Sequence, residues 1–96
     1  MNERQNRIET ALRARFAPLV LEVVDDSAKH AGHAGATEGG QTHYSALVVT
    51  DAFIGLSRVA RSRAVHEALA AEFVGGLHAL ALTLKTPDEN VTVTFR

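Results

Sequence analysis

Between Ser57 and Leu84 the apolar period changes once, from helical to alternating, and that switch limits the possible folds more than any other feature of the chain. Val59, Val65, Leu69 and Phe73 recur near helical spacing, leaving Arg58, Arg61, Glu67 and Glu72 to face water, as expected of a helix lying on a sheet. Ser57 is the expected N-cap. Gly75-Gly76 is the expected stop, because glycine accepts the left-handed conformation that closes a helix. Leu80, Leu82 and Leu84 then alternate with Ala81, Thr83 and Lys85, which predicts a strand over Ala79–Lys85 with His78 at its mouth.

A helical crossover returns the chain in the same direction, so this last strand should run parallel to the strand before the helix. That preceding strand is expected over His43–Thr50, where HYSALVVT alternates. Upstream, Glu3–Phe16 reads as a helix, with Ile8, Ala11, Leu12 and Phe16 on one face and Arg4, Arg7, Arg13 and Arg15 off it. Pro18 ends it, and Leu19–Val24 follows as a strand with Leu19, Leu21 and Val23 on one side. Consecutive strands joined by a loop should pair antiparallel. The predicted class is therefore α+β, a three-stranded mixed sheet with helices packed on one face.

Ninety-six residues suffice for one small domain, expected to span 1–96 with a short tail over 88–96. Asp25 to Thr42, DDSAKHAGHAGATEGGQT, has no periodic apolar anchor and predicts a loop that is mobile in the free chain. A formal net charge of -1 and 5% aromatic residues do not suggest a nucleic-acid binder. No apolar run approaches the roughly 20 residues of a membrane span, and the start MNERQNR has no secretory pattern, so the expected compartment is the cytosol.

The chain has no cysteine, which excludes disulfides, thiol catalysis and thiolate ligands of its own. Coordination chemistry is left to five histidines, at positions 30, 33, 43, 66 and 78. His43 heads a strand and is expected to make structural hydrogen bonds. His66, near the core-facing side of its helix, is expected to pack. His30 and His33 are spaced like part of a zinc site, but two ligands alone make a weak one.

Several separated motifs occur together in order: DDSAKHAGHAG, the pair Thr42-His43 before an apolar strand, FIGLS over Phe53–Ser57, and GLHALAL followed by TP. In these the chain resembles the BolA family over roughly Ile8 to Pro87. The resemblance implies a compact αββ(α)αβ fold similar to the class II KH domain, often with an extra helical turn before the last strand. It implies no enzymatic activity. It also implies a heterodimer with a monothiol glutaredoxin that holds a [2Fe-2S] cluster, for which this chain would supply His78 in GLHAL and His33 at the end of HAGH. A glutaredoxin cysteine and a glutathione thiol would complete the ligand set. A chain without cysteine could join a cluster only through imidazole, so the residues and the resemblance agree.

The alternative loop ligand is His30. His33 is preferred because it precedes His43 by ten residues, close to the spacing the resemblance implies, and is flanked by Gly32 and Gly35. The isolated chain is expected to be a monomer without cofactor. In one respect the helix departs from the family pattern, with Arg61-Ser62-Arg63 where Arg-His-Arg is common. An alternative from another class is a DNA-binding regulator that meets phosphates through Arg58, Arg61 and Arg63, although a GxxG loop is missing.

Overall fold

The computed structural model describes residues 2–27 and 42–90. Residues 28–41, with His30, His33 and most of the expected mobile loop, and residues 91–96 lie outside the described residues. Helix α1 (Glu3–Phe16) leads into β1 (Val20–Asp25), which is followed by β2 (His43–Val49), α2 (Arg58–Ala68), α3 (Ala70–Val74) and β3 (Ala79–Lys85). Strand β2 is central, antiparallel to β1 and parallel to β3, with His43 opposite Ala79. The α+β class, both strand directions and the bounds of β3 are as the sequence predicts. Short 3₁₀ turns at Asp51–Phe53 and Asp88–Asn90 complete the described chain.

Asn2 caps α1, its side chain accepting from the Gln5 amide at 2.7 Å. The buried stripe of α1 is Arg4, Ile8, Leu12 and Phe16, residues four apart, so Arg4 lies on the core-facing side rather than off it. Its charge is tolerated there because Glu72 of α3 meets its Nε at 3.0 Å. Ser57 caps α2 as expected, accepting from the Ala60 amide at 3.1 Å. The buried stripe of α2 is Arg61, Val65 and Leu69, whereas Val59 is 60% exposed. At 3.6 residues per turn Val59 lies about 120° around the axis from Val65, which puts it outside that stripe.

The expected single helix up to Gly75 is broken at Leu69, where φ is -108° and ψ is 15°. Beyond the break, Glu72 is buried against α1, although the sequence places it in water. Strand β1 begins one residue later than expected, so Leu19 is exposed outside it while Leu21 and Val23 pack toward the core. Both ends of the expected loop 25–42 are structured. Asp25 belongs to β1, the Asp26 amide donates to the His43 carbonyl at 2.7 Å, and the buried Ser27 Oγ accepts from the amides of Thr42 and His43 at 3.0 and 3.2 Å.

Arg61 is 7% exposed and joins three segments: its guanidinium donates to the Leu56 carbonyl at 3.1 Å, the Leu84 carbonyl at 3.3 Å and both carboxylate oxygens of Glu89. The start of the expected tail is therefore docked on α2. The Arg61 hydrogen bond, helped by the Thr86 amide, holds the Glu89 carboxyl down to about 2 from an ordinary 4.5. A depressed folded-state value means that this contribution to stability is present above the ordinary carboxylate range and lost as pH falls through about 4.5 toward 2. Glu72, held low chiefly by Arg7, works in the same direction. Acid denaturation followed by circular dichroism should lose part of its pH slope in Glu89→Gln. An unchanged slope would show that the pair does not couple folding to protons.

Candidate functional site

Because β2 and β3 are parallel, both start at the same end of the sheet, and there His43 and His78 become neighbours. Their ring centroids lie 5.3 Å apart with planes inclined at 53°. The two rings differ in setting. His43 is 7% exposed, and its Nδ1 is 2.9 Å from the Thr42 hydroxyl, which fixes the ring plane. His78 is exposed, with its backbone held instead, since the Thr42 carbonyl accepts from the amides of both His78 and Ala79 at 2.8 and 3.0 Å.

The approach to His78 is a turn at Gly75-Gly76. Gly76 has φ +119°, a conformation open to glycine and strained for other residues. Leu77 then enters the core, and its amide donates to the Glu72 carbonyl at 2.9 Å. The chain is thus pinned immediately before and immediately after His78, leaving an imidazole in solvent on a fixed backbone. Such a group can serve as a ligand whose position is set before anything binds.

Thr42 was not singled out by sequence, although it anchors the site through both its carbonyl and its hydroxyl. Only the Thr-His pair hinted at it. Thr42→Val keeps the side-chain shape but removes the partner of His43 Nδ1, and should lower stability by about 1–3 kcal/mol, with Thr42→Ser near neutral. Chemical denaturation measures this. Equal midpoints for wild type and Thr42→Val would mean that the hydroxyl does not hold the ring.

Of the remaining histidines, His66 does not pack inward as expected. It is exposed and stands edge-on to the Phe73 ring at 5.1 Å, because it is one residue beyond Val65 on the helix and so turned out of the buried stripe. His30 and His33 lie outside the described residues. Among the described residues no group of three or more His, Cys, Asp or Glu could hold a metal ion, and no helix is long and apolar enough to cross a membrane. Arg58 and Arg63 are exposed on α2, but Arg61 is spent on Glu89 and the two carbonyls. Ser62 lies in a shallow groove on the outer face of α2 with Val59, Arg63 and His66.

A family model described as BolA-like protein matches residues 12–89. The chain belongs to the BolA-like family. Among BolA-like relatives it is 42% identical to SufE-like protein 1 of Arabidopsis thaliana over 93 residues, covering 93% of this chain and 25% of that protein. It is 43% identical to mouse BolA-like protein 1 over 86 residues, covering 85% of this chain and 60% of that protein. This chain therefore spans only part of either relative. The solved BolA domain of Arabidopsis SufE1 superimposes with a TM-score of 0.84 at 42% identity, over 93% of this chain and 98% of that one. The extra helical turn that the resemblance implies before the last strand is α3 in this chain.

Proposed function

We propose that this BolA-like chain pairs with a monothiol glutaredoxin and shares a [2Fe-2S] cluster with it, in cluster trafficking or in iron and redox regulation. The observation that carries this is His78: an exposed imidazole on a backbone held by Thr42 at the mouth of two parallel strands. The donor set suits such sharing. Imidazole is an accepted ligand of [2Fe-2S] iron alongside thiolates, and with no cysteine in the chain the thiolates must come from the glutaredoxin and glutathione. His33 is the proposed second ligand, with His30 as the alternative. His43, with Nδ1 turned to Thr42, supports the site from behind. The role is not catalytic, and the proposed setting is the cytosol.

Mixing the chain with cluster-loaded monothiol glutaredoxin tests this. A 1:1 heterodimer with altered visible absorption is expected, while the isolated chain should be colourless and monomeric. Unchanged size and spectrum on mixing, or stoichiometric iron and sulfide in the chain alone, would overturn the proposal. The second reading, DNA binding, now rests on the exposed Arg58 and Arg63. It would show as salt-dependent affinity lost on charge removal at those two positions.

A further inference from the structure

The helix farthest from His78 in sequence reaches the turn that delivers it. Arg4, in the first turn of α1, is buried at the far side of the Gly75-Gly76 turn and grips two groups at once. Its Nε donates to Glu72 Oε1 at 3.0 Å, and its NH2 donates to the Gly75 carbonyl at 2.8 Å. Arg7 closes the other side of the same carboxylate, with Nε on Oε2 at 2.8 Å and NH2 on Oε1 at 3.0 Å. The Glu72 carbonyl meanwhile accepts the Leu77 amide at 2.9 Å. Glu72 thus ties α1 to the turn through its side chain and to the residue before His78 through its backbone.

The guanidinium also occupies the space under the turn. A Cβ built on Gly76 would meet both Arg4 terminal nitrogens at 3.6 Å, and one built on Gly75 would meet NH2 at 3.5 Å. Two successive glycines are otherwise a loose joint, since glycine loses the most conformational freedom on ordering. Apart from Arg4, the entry to His78 is held by the buried Leu77, whose amide meets the Glu72 carbonyl, and by Thr42, and the first of these depends on where Glu72 and α3 are fixed.

We infer that Arg4 is a positioning residue for His78, clamping α3 and the Gly75 carbonyl so that the histidine is presented in one place to an incoming iron site. This rests on the proposed role of His78 as a ligand. A planar guanidinium can hold the carboxylate and the carbonyl together, whereas one ammonium cannot span both, so Arg4→Lys keeps the charge and loses the clamp.

Two readouts test it in the full chain. In the isolated protein, amide exchange at His78 and Ala79 should accelerate in Arg4→Lys by roughly tenfold relative to Ala81 and Thr83 further along β3, because the opening is local. Ile8→Val, one turn along the same buried stripe, lowers stability without touching the turn and should leave that ratio unchanged. In the complex with cluster-loaded glutaredoxin, Arg4→Lys should weaken the cluster's visible circular dichroism while Ile8→Val preserves it. An unchanged exchange ratio in Arg4→Lys overturns the inference, and so does a changed ratio with a wild-type cluster spectrum. A wild-type chain that leaves the glutaredoxin spectrum unaltered overturns the function itself, and the exchange ratio then decides the placement alone.

Discussion

His78→Ala is expected to abolish the change in cluster absorption and circular dichroism that the wild-type chain produces in a glutaredoxin complex. The ring is exposed and its position is set by backbone bonds that alanine retains, namely His78 and Ala79 amides to the Thr42 carbonyl. The substitution should therefore leave folding within about 0.5 kcal/mol of wild type, as exposed substitutions usually do. Loss of signal without loss of stability would isolate the imidazole as the cause. His33→Ala should behave like His78→Ala, because two ligands must converge on one site, and His30→Ala should be close to neutral. The opposite result for the two loop histidines would move the loop ligand to His30. A wild-type spectrum from His78→Ala would remove the proposed ligand altogether.

The largest effect on folding is expected at Phe53. This residue ends the 3₁₀ turn after β2, is fully buried, and has its ring centroid 5.2 Å from that of Phe16 and 5.8 Å from the Arg61 guanidinium. It joins α1, the β2–α2 connection and the start of α2 in one contact. Thr50 fixes the turn from below, its hydroxyl donating to the Phe16 carbonyl at 2.6 Å and accepting from the Ala52 amide at 3.1 Å. The rigid turn cannot collapse into the space that truncation leaves. Phe53→Ala should cost about 3–5 kcal/mol, a large share of the ~5–15 kcal/mol that a domain of this size has. At roughly 4–8 °C per kcal/mol, Tm should fall by at least about 12 °C. Phe53→Leu, which refills most of the volume, should cost less than half as much. A shift under about 5 °C for Phe53→Ala in a thermal melt would mean that the neighbouring chain closes over the cavity.

What the amino-acid order determined by itself is what depends on near neighbours along the chain. The Ser57 cap, the glycine turn and the alternation from Ala79 placed α2, the stop and β3, and the crossover rule then set the direction of β3. His78 could be found at a strand mouth because that position is defined by the residues on either side of it. That the phenylalanine of the Asp51–Phe53 turn is a core anchor became visible only once Phe16 and Arg61 stood against it.

Tertiary structure alone decided which charged residues are buried. Periodicity sends arginine and glutamate to water, and that rule fails where an opposite charge arrives from a distant element. Arg4 and Glu72 are 68 positions apart and Arg61 and Glu89 are 28 apart, yet each pair supplies the partner that makes burial of the arginine tolerable. The same holds for the break at Leu69, which turns Glu72 toward α1, and for the contact of His43 with His78, which exists only in the register that sets His43 beside Ala79. Local pattern specifies which face of an element is apolar, but a buried charge or a pair of facing rings is a property of two elements, and no window on one of them contains it.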